Sequence, residues 1–139
     1  QKNIDFFKNF YLENKIENFV FNFDQNIDKL LKETDLCITR SGASSLAEIA
    51  HLNIPFITIP LPSSKDNHQL ANANYYKNKD CCWVINQMNF DKQVFEDFLL
   101  NLLKNKNDFF MKKKNLKNLN YQNTWNNVNQ KLLDIINEN

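Results

Sequence analysis

The sequence predicts an α/β layer domain, a parallel sheet with flanking helices that lacks its N-terminal part. Three observations predict it. Apolar strand-like runs alternate with helical periodicity along the chain, and the runs 36–39 and 56–59 are apolar throughout, so both faces of those strands are expected to be covered. The chain also opens on a helical pattern and without a Met, which is odd for a complete domain of this class and points to a piece of something longer.

The elements follow in order. Ile4 to Leu12 has apolar residues at helical spacing and predicts a helix. Phe19-Val-Phe-Asn-Phe23 is aromatic and β-branched and predicts a strand. Asp24 is placed to cap a helix carrying Ile27, Leu30 and Leu31. Leu36 to Thr39 is a buried strand, and a helix runs from the following turn through Leu52. Asn53 can take the left-handed conformation and Pro55 forbids continuation, so that helix stops there. Phe56 to Ile59 is the next strand, Pro60 to Lys65 a proline-fixed loop, and Asp66 the expected cap of a helix to about Lys77. Cys82 to Ile85 is a further strand. Helices are expected from Phe90 to Asn105, opened by Asp91, from Phe109 to Leu119, and from Trp125 to Ile136. Residues 1–139 are therefore expected to form one partial domain with C-terminal helices over about 107–138.

Composition narrows the function. A length of 139 residues suffices for one core, and a formal charge of +1 gives no general field for nucleic acid. No apolar run approaches the ~20 residues that span a bilayer, and the polar opening Gln1 to Asp5 has no signal-peptide pattern. Cys37, Cys81 and Cys82 are an odd set without disulfide spacing, and no His or Cys pair has zinc-ligand spacing, so a reducing cytoplasmic setting and no metal or cofactor are expected. The chain has one Gly, Gly42, so a Gly-rich loop elsewhere is excluded.

In parallel α/β sheets ligands bind at the carboxyl ends of strands. Thr39-Arg40-Ser41-Gly42-Ala43-Ser44-Ser45 leaves one strand and opens a helix. Gly42 can take a positive φ and lets a ligand approach the backbone. The free N–H groups beyond it, with the helix dipole and the hydroxyls of Ser44 and Ser45, make an anion site suited to a diphosphate. The same turn also reads as an ordinary capped helix start. Glu48, one turn on, can hold the vicinal hydroxyls of a ribose; equally, Ser45-Leu-Ala-Glu48 fits a capping box in which Glu48 returns to the Ser45 N–H. His68, Gln69 and Asn72 cluster on the helix after the proline loop and can bond sugar hydroxyls, or be a solvated helix start. Ser44 or Ser45 with His68 lacks the strained G-x-S-x-G elbow of a hydrolase.

Taken together, Arg40-Ser-Gly-Ala-Ser-Ser-Leu-Ala-Glu-Ile-Ala50, Ile54-Pro55, Ile59-Pro60-Leu-Pro62 and Asp66-Asn-His-Gln-Leu-Ala-Asn-Ala73 resemble the C-terminal domain of the MurG family, family 28 glycosyltransferases of GT-B fold. The resemblance covers about residues 20–85, and the helical tails fit loosely. It implies a Rossmann-like domain that binds UDP-N-acetylglucosamine, within an enzyme that transfers N-acetylglucosamine with inversion to a lipid-linked muramoyl-pentapeptide at the inner face of the bacterial membrane. By position, Glu48 would hold the ribose, the turn Ser41 to Ser45 (with Gly42, Ala43 and Ser44) the diphosphate, and His68 and Gln69 the sugar. The backbone after Phe23, at Asp24, would lie near the uracil. Arg40 would touch ligand or brace the loop, and Phe23 and Asn72 are further candidates for substrate contact. The leaving UDP would be stabilised by the helix N-terminus rather than by an obligatory metal.

The sequence departs from the family in two ways. The family has Gly where Asn53 stands and near Asn78-Lys79, positions at which Asn tolerates a left-handed turn. The acceptor-binding N-terminal half and the Gly-rich loop with its leading strand have no counterpart here, and the catalytic base belongs to that half, so no residue of this chain is assigned as catalytic. A stand-alone donor-binding subunit with a separate acceptor-binding chain, or an inactive nucleotide-binding fragment, are the alternative readings. Finally, Lys112, Lys113, Lys114 and Lys117 follow Phe109-Phe110-Met111, a basic stretch that can touch an anionic membrane surface weakly or be a solvated helix face.

Overall fold

The computed structural model describes residues 2–122 together with residues 127, 129, 130, 133 and 134. The chain forms two compact units, Gln1–Leu30 and Leu31–Asn139.

The first unit contains helix α1 (Lys2–Glu13). The run Phe19 to Phe23, expected as a strand, is irregular. Strand propensity needs a partner to pair with, and the first unit has no other strand among its described residues. Phe19 and Phe23 are correspondingly exposed. Asp24 does not cap helix α2 (Ile27–Lys32) directly. Its carboxylate accepts the Asn26 N–H at 2.7 Å, closing a turn just before the helix.

The second unit is an α/β layer. Strands β1 (Cys37–Thr39), β2 (Phe56–Thr58) and β3 (Cys82–Val84) form a parallel sheet in the order β1-β2-β3. Helices α3 (Ala43–His51) and α4 (His68–Lys77) are the two crossovers, and α5 (Lys92–Lys104) and α6 (Lys106–Gln122) follow. The central strand β2 is buried at all three positions. The expectation that β1 is covered on both faces fails: Ile38 is 51% exposed, so among the described residues the face it points to is open.

Leu46, Ile49 and Ala50 repeat at helical spacing on α3 and pack on Phe56, with Leu116 and Leu119 from α6 completing the core. α5 opens as expected, the Asp91 carboxylate accepting the Val94 N–H at 2.9 Å. Asp66 does not cap α4. Asp66 and Asn67 both adopt left-handed backbone (φ 51° and 53°) in a single 3₁₀ turn, which makes Asn67 the residue before the helix and displaces Asp66 from the cap position. The left-handed turn expected near Asn78-Lys79 sits at Asp80 (φ 53°), because α4 continues through Lys77 with Asn78 still right-handed.

Of the basic stretch on α6, one lysine is taken out of the surface. Lys112 faces inward, paired with Asp80 and, at 3.2 Å, with Asp108, and lies over the Trp83 ring. An amine held by two carboxylates is unavailable to a membrane surface. Most of the helix expected at Trp125 to Ile136 lies outside the described residues.

Candidate functional site

The carboxyl ends of the three strands lie at one edge of the sheet because the strands are parallel. The turns after β1, β2 and β3 therefore meet there. Successive backbone bonds carry the sheet register past the strand ends: the Ile59 N–H donates to Thr39 O at 2.9 Å and the Ile85 N–H to Thr58 O at 3.0 Å.

Ser41 is the fixed point of the edge. Its side chain is fully buried, and its hydroxyl is 2.7 Å from that of the equally buried Thr58. The Ser41 N–H donates to Gln69 Oε1 at 3.3 Å, and the Asn72 side-chain amide donates to Ser41 O at 3.0 Å. Gln69 Oε1 also accepts the Leu61 N–H at 3.0 Å. One turn of α4 thus clamps both the turn after β1 and the proline loop after β2. Arg40 braces the same edge, donating to Ile59 O at 3.1 Å and to Gln87 Oε1 at 2.6 Å. Ser41, Arg40 and Asn72, together with the carbonyl of Gln69, are occupied inside the protein.

What the frame leaves open is the start of α3. Gly42 is the N-cap residue, with extended backbone (φ −65°, ψ 135°), and no side chain caps the helix. The expected positive φ is therefore not used. A Cβ on Gly42 would meet only Ser45 Oγ, at 3.7 Å, so the fold itself does not demand glycine. The consequence of glycine is chemical. With no side-chain oxygen at the cap, the first-turn N–H groups of Ala43, Ser44 and Ser45 have no intrahelical acceptor and face outward. Ser44 and Ser45 are exposed. The helix dipole adds about +0.5 charge at this end.

Glu48 lies further along α3, exposed, with no hydrogen-bond or ion-pair partner among the described residues. Ser45 is the third helical residue rather than the cap, so the capping-box geometry is absent. Glu48 is a free acceptor for two hydroxyls. His68, at the start of α4, is exposed, and its Nδ1 is 2.6 Å from Lys65 O. A carbonyl only accepts, so Nδ1 donates here, which leaves Nε2 for a further hydrogen bond. Phe23 and Asp24 belong to the first unit, where Phe23 is exposed.

Sequence reasoning missed Thr58 and Gln87. Thr58 carried a signal, a hydroxyl inside an otherwise apolar buried strand that must find a partner; Gln87 carried none. Among the described residues no three His, Cys, Asp or Glu side chains gather as a metal site requires. The edge offers uncapped helix N–H groups, a free carboxylate and an imidazole nitrogen, groups that can bind a phosphorylated polyol.

The chain matches the model of the glycosyltransferase family 28 C-terminal domain over residues 1–129. It is similar to the UDP-N-acetylglucosamine--N-acetylmuramyl-(pentapeptide) pyrophosphoryl-undecaprenol N-acetylglucosamine transferase of Pelagibacter ubique (strain HTCC1062), 44% identical over 137 residues that cover 99% of this chain and 38% of that protein. The protein of the same name from Rickettsia massiliae (strain Mtu5) is 37% identical over 91 residues, 63% of this chain and 24% of that one. The crystal structure of Acinetobacter baumannii MurG superposes with a TM-score of 0.75 at 23% identity, covering 100% of this chain and 41% of that chain. The chain thus spans well under half the length of these relatives, and the last match shows a shared fold, the Rossmann-like layer expected from the sequence. On the extent of the family match, the chain belongs to the glycosyltransferase family 28 C-terminal domain family.

Proposed function

We propose that this chain is the donor-binding half of an inverting transferase that moves N-acetylglucosamine from UDP-N-acetylglucosamine to a lipid-linked muramoyl-pentapeptide, at the inner face of the bacterial membrane. The observation that carries the proposal is the pairing of an uncapped α3 N-terminus with an unengaged Glu48 on the same helix. The name of the Pelagibacter relative supports the choice of donor and acceptor. Among the described residues no helix is long and apolar enough to cross a membrane, so contact with a lipid-linked acceptor would be made from the surface.

In this reading the diphosphate sits on the N–H groups of Ala43, Ser44 and Ser45 beside Gly42, and Glu48 accepts from both ribose hydroxyls. His68 takes a sugar hydroxyl on Nε2, and Gln69, whose oxygen is committed to the frame, offers its NH₂. As the anomeric bond breaks, charge grows on the departing diphosphate. The oriented N–H groups and dipole of α3 stabilise that charge without reorganising. The acceptor and the base that deprotonates it belong to a separate half or partner chain, and this chain supplies donor binding and leaving-group stabilisation.

The test is titration of the chain with UDP-N-acetylglucosamine, UDP and ADP, followed by amide chemical shifts, beside Glu48→Ala. Uridine-selective binding is expected, with shifts at residues 41–48 and 66–72, and a response at Phe23 and Asp24 would add the uracil contact. Glu48→Ala should lose roughly 1–3 kcal/mol of binding, the scale of charged hydrogen bonds, at unchanged thermal stability, since the side chain bonds nothing in the fold. Equal affinity for UDP and ADP, or a Glu48→Ala variant that binds normally, would sink the proposal.

A further inference from the structure

Strand β3 closes the sheet on the side away from β1. The Ile85 N–H donates to Thr58 O, and Val84 is the register partner of Thr58. In a parallel ladder that phase turns the backbone groups of Trp83 and Ile85 towards β2 and those of Cys82 and Val84 away from it. The outward N–H and C=O groups of Cys82 and Val84 have no hydrogen-bond partner among the described residues. Edge strands are usually guarded by a charge, a proline or a bulge, and Cys82-Trp-Val84 carries neither charge nor proline.

A groove of about 570 Å³ runs along this edge, and Cys82, Trp83, Val84 and Ile85 all line it. Successive side chains of a strand point to opposite faces. A space touched by four residues in a row therefore lies along the strand's edge and not over one face. Across the groove stand Val94 and Phe98 of α5, with Val94 67% exposed. The Trp83 ring is fixed in the wall, since its indole N–H donates to Asp108 at 2.8 Å and its ring meets Phe98 edge-on. Asp80 and Lys112, also in the wall, pair with each other. Two charges remain. Lys77, just before β3, has no ion-pair partner among the described residues, and Asp91, at the start of α5 after the carboxyl end of β3, bonds only the Val94 N–H.

These features specify an occupant. Outward backbone groups at alternate residues are matched by the backbone of an extended chain, apolar walls take its alternate side chains, and the two charges call for an acid near Lys77 and a base near Asp91. We propose that the β3 edge docks an extended peptide segment of another protein, which adds to the sheet as a strand with its apolar side chains in the groove. The proposal uses none of the residues assigned above to the donor. A three-residue edge offers few backbone bonds, so the interaction is weak and reversible.

The experiment titrates the chain with the capped peptide acetyl-Lys-Val-Thr-Val-Glu-amide, whose charges match the groove when it lies antiparallel to β3, and reads amide chemical shifts. The outward amides of Cys82 and Val84 should move more than the ladder amides of Trp83 and Ile85, together with residues 91–98. Two analogues carry N-methyl groups, one on both valines and the other on the remaining residues. Only one phase of a strand turns its N–H groups to a given neighbour, so one analogue should lose at least about tenfold in affinity and the other stay within about threefold. Val84→Pro removes the outward N–H and leaves the Ile85 bond to Thr58 in place. Val94→Arg crowds the groove from an exposed helix position and tests the same site should Val84→Pro fail to fold. Each should weaken the peptide about tenfold. Absence of shifts at millimolar peptide, analogues lost alike or kept alike, or full affinity in the folded variants overturns the proposal. So does a dimer in sedimentation that Val84→Pro dissolves, since the occupant would then be a second copy of this chain.

Discussion

Ser41 has three polar groups, and all three are satisfied within the fold by Thr58, Gln69 and Asn72. Beyond it, the Glu48 carboxylate and the first-turn N–H groups of α3 have no partner among the described residues. This division separates a frame from a binding surface, and it has a measurable consequence. Gln69→Ala would orphan two backbone donors, those of Ser41 and Leu61, and should cost roughly 1–3 kcal/mol of stability in chemical denaturation as well as weakening donor binding. A Gln69→Ala chain as stable as the unmodified one would show that the clamp is not structural. The sequence made the binding surface legible because its signals are local: a lone Gly between a strand and a helix, a carboxylate one turn on, and a His at the next helix start. It could not show which of those residues were already occupied. The partners of Ser41 and Arg40 lie 17 to 47 positions away, at Thr58, Gln69, Asn72 and Gln87, and only the parallel sheet brings them together. The capping-box alternative for Glu48 fell for the same kind of reason, since it turned on where the helix begins, a boundary that composition alone fixes poorly.

At the scale of elements, a chain with one Gly must end its helices without it. Helices α1, α3 and α4 close with the same pair of backbone bonds around a left-handed residue: Lys15 (φ 54°), Asn53 (φ 58°) and Asp80 (φ 53°). In α3 the Ile54 N–H reaches Ile49 O at 3.2 Å and the Asn53 N–H reaches Ala50 O at 2.9 Å; in α4 the Cys81 N–H reaches Tyr76 O at 3.0 Å and the Asp80 N–H reaches Lys77 O at 2.9 Å. A side chain in this conformation costs about 1–2 kcal/mol. Helix α6 offsets that cost at both turns. The Asn120 amide donates to Ala50 O at 2.8 Å, His51 O at 3.2 Å and Asn53 Oδ1 at 2.8 Å. At the other turn Asn115 donates to Asp80 O at 2.9 Å, and Lys112 pairs with the Asp80 carboxylate. Asn120→Ala should therefore destabilise the chain by about 1–2 kcal/mol, and Asn53→Gly introduced with it should recover about half by relieving the backbone. No recovery in the double variant would mean that the left-handed turn carries no strain. Asn53 was readable as such a turn from the Asn-Ile-Pro sequence, whereas at the end of α4 only the neighbourhood of Asn78-Lys79 was, because no proline marks which residue turns. The unpaired Phe19 to Phe23 run failed in the opposite direction: its composition says strand, but a strand exists only through its partner.

At the scale of the whole 31–139 unit, most of the groups that titrate abnormally lie on α4, β3 and the facing part of α6, with Cys37 at the start of β1. Burial pushes the Cys81 thiol from 9.0 to about 11, with the Asp80 carboxylate adding to the rise. Burial, then the neighbouring Cys81, push Cys82 from 9.0 to about 12, and burial raises Cys37 as well. At neutral pH all three are therefore protonated thiols that pack as small apolar groups. Lys112 is subject to burial, which lowers its pKa, but the hydrogen bonds to Asp80 and Asp108 outweigh it and the net shift is upward from 10.5. Each of these groups holds its proton more tightly folded than unfolded. Between the two pKa values the unfolded chain binds fewer protons, so stability falls as pH rises. The thiols bring the fall in from about pH 9 towards pH 12, and Lys112 adds to it above 10.5. Thermal unfolding should therefore show a melting temperature that declines progressively above pH 9. The Cys81→Ala/Cys82→Ala double variant should start less stable, having lost two buried sulfurs, yet decline less steeply between pH 9 and 10.5, where the thiols dominate. An identical slope in the two proteins would place the alkaline sensitivity elsewhere. Since none of these groups touches the α3 N-terminus or Glu48, affinity for UDP measured on still-folded chain should stay level over the same interval, separating loss of fold from loss of site.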